Sequence, residues 1–214
     1  MLTIWISDYI AQTVGYALQR QDVLRYHLSR DNLPESSKDY LNTTCSGSIC
    51  FGSILPQVSH AYPNVSVEVD LAPSGPPRVE ISQRSMRWTI FALVTFSARL
   101  PNGTVVQMFR TNMTVSVGIA VSLVDSVLRG NVTGLATSVS VLDSAIGTVS
   151  GPLLQTVLKT AVGKFAIPRL RKFVWNGVPL PTISGVQLVD PRLEMHPHCL
   201  VVSTDVRYVP RRHE

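Results

Sequence analysis

Two hydrophobic periods divide this chain. From Asn64 the apolar residues recur at every second position, with Val65, Val67, Val69 and Leu71 alternating against Ser66, Glu68 and Asp70. That is the pattern of a strand with one buried face. The run 86–100 keeps Met86, Trp88, Ile90, Ala92, Val94, Phe96, Ala98 and Leu100 on one side. Pro101-Asn102-Gly103-Thr104 then supplies a turn containing the Asn-Gly pair favoured in hairpins. Val105, Phe109, Met113, Val115, Val117 and Ile119 carry the return strand, and alternating runs near 121–128 and 132–142 extend a meander. Val186–Val189 and the series Leu200, Val202, Thr204, Val206, Tyr208 predict closing strands. Strands joined by such connections are antiparallel and half-apolar, so the greasy face needs a cover.

The second period is helical. Leu153, Leu154, Val157, Leu158, Ala161, Val162 and Phe165 repeat at spacings of three and four, forming one broad stripe. Ser150 and Pro152 mark the entry and Gly177 the exit. A helix over 152–175 would run about 36 Å at ~1.5 Å per residue, with Pro168 kinking it or opening a new turn. Ser7 predicts the cap of an earlier helix whose apolar face is Ile10, Val14, Ala17 and Leu18. A short helix is expected around 52–62, and Leu24, Tyr26 and Leu28 alternate before a polar loop at 30–50. The fold class is therefore α+β: one domain over 1–214, a strongly twisted, barrel-like antiparallel sheet wrapped around one long helix plus a shorter one.

A sheet rolled on a helix encloses an elongated space, and an empty apolar channel of that length forfeits packing contacts. Ile10, Val14, Leu18, Leu153, Leu154, Val157, Leu158, Ala161, Val162 and Phe165 are thus expected to pack partly on the sheet and partly on whatever apolar matter fills that space. Burying about ten methylenes at ~0.8 kcal/mol each contributes roughly 8 kcal/mol before ordering costs.

Composition narrows the classes. Hydrophobic residues make up 45% of the chain and charged ones 15%, which argues against disorder. No run approaches the ~18–20 apolar residues of a membrane span. Net charge is +5, but the positives are scattered, with small clusters at Arg169–Lys172 and Arg211–Arg212. No stacking aromatics alternate with them, so nucleic acid is not an expected partner. The amino terminus lacks an early positive charge and meets Asp8, unlike a signal peptide. Yet Asn42, Asn64, Asn102, Asn112 and Asn131 all open glycosylation triplets, which points to the secretory pathway. The two readings agree if the chain is a fragment of a longer secreted protein. Cys45 and Cys50 suit a local disulfide; metal binding is the rival, with no second thiol pair to support it. Cys199 is left over.

The chemistry of enzymes leaves no mark. There is no Gly-x-Ser-x-Gly elbow, His-Glu-x-x-His helix or phosphate-cradling glycine loop. His196 and His198 form the single tempting ligand pair, and a turn through Pro197 would part them. No catalytic residue, metal or cofactor is expected.

Four stretches carry a resemblance: "WISDYIAQTVGYALQ" at 5–19, "GSILPQVSHAYPN" at 52–64, "LPNGTV" at 100–105, and "IPRLRKFVWNGVPLPTISGVQLVDPRLEMHPHCLVVSTDVRY" at 167–208. The last joins a helix end, Gly-x-Pro-Leu-Pro, two strands and a closing Asp-x-x-Tyr. Together they resemble the carboxy-terminal half of the bactericidal/permeability-increasing and lipopolysaccharide-binding protein family, which includes plasma lipid transfer proteins. The resemblance implies a parent of two similar barrels, each holding a phospholipid in an apolar tunnel, with the amino-terminal barrel absent here. It implies an extracellular, non-enzymatic role in innate immune recognition or lipid transfer, with phospholipid or lipopolysaccharide as ligand. A protein-interaction module of a two-domain endotoxin-binding protein, docking on a receptor or cell, is the alternative, and a membrane surface or cell receptor is a candidate partner. The Cys45/Cys50 pair departs from the mammalian pattern.

Overall fold

The computed structural model describes residues 1–21, 25–45, 47, 49–181 and 186–208. Leu24 and the Arg211–Arg212 pair lie outside the described residues, as does the side chain of Leu18.

Strand β1 (Leu2–Ser7) runs into helix α1 (Asp8–Arg20), and β2 (Tyr26–Leu28) follows. The stretch expected as a loop carries one helical turn, α2 (Glu35–Lys38), between 3-10 turns. The helix expected around 52–62 is split into α3 (Phe51–Ile54) and α4 (Pro56–Ala61). Pro56 explains the split, because the residue before a proline is pushed out of the helical region; Leu55 sits at φ −123° and ψ 83°.

Five strands come next: β3 (Ser66–Pro73), β4 (Arg78–Ile81), β5 (Met86–Arg99), β6 (Val105–Val124) and β7 (Val127–Ser144). The sequence pattern ran a strand through 121–128, whereas the chain reverses there. Asp125 and Ser126 both take positive φ, 51° and 61°, as a two-residue hairpin turn demands. With no glycine at either position, the turn left no signal in the sequence. At the other end of β6, Leu100 and Thr104 close the expected turn with a 2.8 Å backbone bond, and Gly103 supplies the left-handed φ of 85°.

These strands form one antiparallel sheet in the order β2-β3-β5-β6-β7-β8, with β4 added to the start of β5; β8 is the two-residue Val178–Pro179. Met108, Thr133 and Leu142 are extra residues at breaks in register along the two long hairpins. Each bulge adds local twist, and the sheet curls into a half-barrel. A second sheet, β1-β10-β9, unites β1 with β9 (Val186–His196) and β10 (Cys199–Tyr208). The His198 amide donates to Ile81 of β4 at 3.0 Å, and the Asp8 amide donates to His198 at 2.9 Å. The β9–β10 turn therefore fastens this sheet to the large one and to the start of α1.

The long helix is continuous from α5 (Gly151–Ala161) through a wide π segment (Val162–Ala166) to α6 (Ile167–Asn176). Pro168 has no amide to donate to the carbonyl four residues back, and its ring needs room there. The widened turn immediately ahead of it supplies that room. Arg169 Nη1 donates to the Phe165 carbonyl at 3.0 Å.

Two apolar clusters fill the space under the helix. One gathers Phe51, Leu55, Val58, Val94, Phe96, Phe109 and Met113 around Leu154 and Leu158; the Phe96 and Phe109 rings stack at 4.5 Å. The other joins Val117, Ile119 and Val132 to Ile167 and Val174.

Candidate functional site

The expected lipid-contact residues do not share one environment. Leu154 and Leu158 are core residues, 0% and 9% exposed, while Leu153 stands 51% exposed. Val157, Ala161, Val162 and Phe165 are half-buried. On α1, Ile10 and Val14 are 51% and 55% exposed. That helix packs through its small and polar side instead: Gly15 is buried against Pro77, and Gln12 Nε2 donates to the Val79 carbonyl at 3.1 Å. Ser7 does occupy the cap position of α1, but its hydroxyl makes no capping bond.

Contact between helix and sheet varies along the helix. Near its carboxyl end the fit is tight: a Cβ added to Gly130 of β7 would meet Ile119 at 2.9 Å and Val174 at 3.0 Å. At the amino end, Leu154 is sealed in the first cluster. In the middle, a Cβ added to Gly163 would meet Leu135 alone, at 4.0 Å. Of these positions the π segment leaves the most room at its glycine, although its Val162 packs against both apolar clusters.

The concave face of the sheet shows a matching gradient. Ala92, Val94, Phe96 and Ala98 of β5 are buried, whereas Trp88 and Ile90 on the same face are half-buried. Val115, paired with Ile90, and Leu71 of β3 are half-buried too. The Trp88 indole N–H donates to the Met86 sulfur at 2.9 Å, so its polar atom is satisfied without water. The alternation in the sequence marked these residues as apolar; it could not tell which stay partly uncovered.

Two clefts lie elsewhere. An apolar one of about 660 Å³ runs between α1 and β5, lined by Tyr9, Tyr16, Pro76, Pro77 and Phe91 among others. Arg78 and Arg20 sit over the Phe91 and Tyr16 rings, 5.9 and 5.2 Å from their centroids. This size is within the ~300–1,000 Å³ usual for small-molecule sites, and none of the expected lipid-contact residues lines it. A polar cleft of about 290 Å³ includes Arg30, Lys38 and the buried Glu68, whose carboxylate pairs with Arg99.

Cys45 and Cys50 form the disulfide, with Cα atoms 5.5 Å apart, and Cys199 is free and half-buried. Asn64, Asn102, Asn112 and Asn131 are exposed. Asn42 is half-buried; its side chain accepts from Arg30 Nη1 at 2.9 Å and donates to Asp39 at 3.2 Å. The histidine pair is parted as the turn predicted: His198 meets Asp8 at 2.8 Å and His196 faces Glu194 at 3.4 Å. Among the described residues, no three His, Cys, Asp or Glu side chains converge as a metal site, and no helix is long and apolar enough to cross a membrane.

A curled antiparallel half-barrel carrying a long helix is the fold of a solved structure, the crystal structure of lipopolysaccharide binding protein. It matches with a TM-score of 0.70 at 21% identity, covering 98% of this chain and 44% of that one. The model of the LBP / BPI / CETP family, C-terminal domain, matches residues 1–208, and the chain belongs to this family. Among similar proteins are lipopolysaccharide-binding protein of Bos taurus, 24% identical over 98% of this chain and 42% of its own length, and bactericidal permeability-increasing protein of Sebastes schlegelii, 24% identical over 97% and 43%. The chain thus spans less than half the length of these relatives.

Proposed function

We propose that this chain is a non-enzymatic, extracellular lipid-binding domain that takes an acyl chain of a phospholipid or lipopolysaccharide-type ligand beneath the middle of its long helix. It would correspond to the second barrel of a two-barrel parent and act in innate immune recognition or lipid transfer. One observation carries the reading: apolar side chains stand without full protein cover on the long helix and on the sheet face beneath it, with a separate set on α1. On the long helix these are Leu153, Val157, Ala161, Val162 and Phe165; on the sheet they are Trp88 and Ile90; on α1 they are Ile10 and Val14. Leu18 belongs to the same expected set on α1. Leu154 and Leu158 act as the anchors that hold the helix in place. The family membership and its lipopolysaccharide-binding relatives support the ligand class. The disulfide and the four exposed glycosylation triplets support passage through the secretory pathway.

Organic extraction of natively purified protein followed by mass spectrometry tests it. Stoichiometric lipid is expected, and its loss in Val157→Asp/Ala161→Asp protein that still folds would place it under the helix. Folded wild-type protein that yields no lipid overturns the reading. A second reading, a docking module for a cell receptor, draws on the exposed Trp5, Tyr9, Ile10 and Val14 at the amino end. It gains if that surface binds a receptor ectodomain with the same affinity after delipidation.

A further inference from the structure

The carboxyl end of the long helix combines two features that the interior lipid site leaves unused. Phe173, Trp175 and Val178 stand 67%, 59% and 65% exposed within six residues of chain, and Val124 of the adjoining hairpin is 42% exposed. Phe173 and Trp175, two positions apart, flank the buried Val174 on either side of the helix end. They sit at an extremity of the sheet. Gly177 turns the chain tightly against Leu128, β8 pairs with Val127 and Leu128, and the Leu180 amide donates to Ser126 in the β6–β7 turn at 2.8 Å.

The second feature is charge. From Ser144 to Val189 the sequence contains no Asp or Glu, while it carries Lys159, Lys164, Arg169, Arg171 and Lys172. Those five cations equal the +5 net charge of the whole chain. Among the described residues none of the five joins an ion pair. Arg169, Arg171 and Lys172 lie behind the aromatic pair by no more than about 9 Å along the axis, at ~1.5 Å per residue. Arg129 adds a fourth cation, its guanidinium 5.6 Å from the Trp175 ring centroid. Asp125, in the adjoining turn, is the carboxylate at this end.

Aromatic residues at a tip with cations set back by a few ångströms match the depth profile of a lipid surface. Tryptophan rings favour the headgroup level, and Lys and Arg favour the phosphates around it. We propose that the carboxyl end of α6 docks on an anionic phospholipid membrane, with Phe173 and Trp175 at the headgroup–acyl boundary and Arg169, Arg171 and Lys172 on the phosphates. The docking surface lies outside the interior lipid site and stands or falls independently of it.

Vesicle sedimentation tests the proposal with phosphatidylcholine alone and with phosphatidylcholine mixed with phosphatidylglycerol. The full chain is expected to bind the mixed vesicles, more weakly as salt rises. Phe173→Ala/Trp175→Ala and Arg169→Gln/Arg171→Gln/Lys172→Gln should each lower the partition coefficient by about tenfold or more. All five side chains are solvent-exposed, and unchanged thermal midpoints would show that the variants fold. Brominated phosphatidylglycerol should quench the tryptophan fluorescence, and Trp175→Phe should abolish that quenching where Trp5→Phe does not. Undiminished binding in both variants overturns the proposal. So does a DNA duplex that displaces the vesicles and binds the alanine variant as well as the wild type, because that marks a general polyanion surface.

Discussion

Helices α1 and α5 share an apolar stripe at the same spacing, yet the fold treats them in opposite ways. In α5, Leu154 and Leu158 are sealed among Phe51, Phe96 and Phe109. In α1, Ile10 and Val14 remain more than half exposed, and the helix is held by Gly15 against Pro77 and by Gln12 on a strand carbonyl. Periodicity states which face of a helix needs cover; it does not say what provides the cover. Where protein does so, the stripe is core, and where it does not, the stripe is a surface for another molecule.

The largest expected effect separates these two cases directly. Leu154→Ala should lower unfolding free energy by about 3 kcal/mol, as buried large-to-small changes do. Ile10→Ala, at an exposed site, should change it by less than about 0.5 kcal/mol. Equal losses in urea denaturation would break the comparison.

The next pair probes how firmly the long helix is held. Gly130→Ala forces a methyl between Ile119 and Val174 and should destabilise by about 1–3 kcal/mol. Gly163→Ala gains an ordinary contact with Leu135 at 4.0 Å inside a helix and should stabilise by up to about 1 kcal/mol. Thermal melts of the two variants shifting in the same direction would contradict a helix packed more tightly at Gly130 than at Gly163.

A further effect concerns the ligand rather than stability. Ile10→Ser/Val14→Ser should lower the lipid recovered on organic extraction while leaving the melting temperature within a degree or so, since little buried area is lost. Its companion on the other stripe, Leu158→Ser, should unfold the protein before it alters lipid content.

The smallest effect is electrostatic. Arg110 donates to Asp143 across β6 and β7, and this hydrogen bond holds the Asp143 carboxyl below the ordinary carboxylate range and raises the Arg110 guanidinium. A depressed pKa in the folded state means the contribution is complete above the unfolded value and disappears as pH falls through the folded one. Both groups are exposed to solvent, so the gain is slight. Asp143→Asn should flatten the acid limb of the stability profile between about pH 5 and pH 2 and leave neutral stability nearly unchanged.

Much of the architecture was written in the local pattern. Strands β3, β5, β6 and the long helix follow from periods of two and 3.6, and the Cys45–Cys50 disulfide from a short spacing between small residues. The turn at Asp125–Ser126 was not legible, because two non-glycine residues accept left-handed backbone there only under the constraint of long flanking strands. Strand β1 also escaped notice: Leu2, Ile4 and Ile6 alternate, but the run is short and its partner, β10, lies some two hundred residues away in the chain.

By itself the sequence determined the α+β class, the family resemblance, the apolar stripes and the acid-free stretch from 144 to 189, because each depends on residues near one another along the chain. The tertiary structure alone decided which stripe became core, where the helix packs tightest on the sheet, and that Phe173 and Trp175 end up bare beside a hairpin tip. Burial depends on distant segments meeting, and a local pattern holds no information about how completely they close over one another.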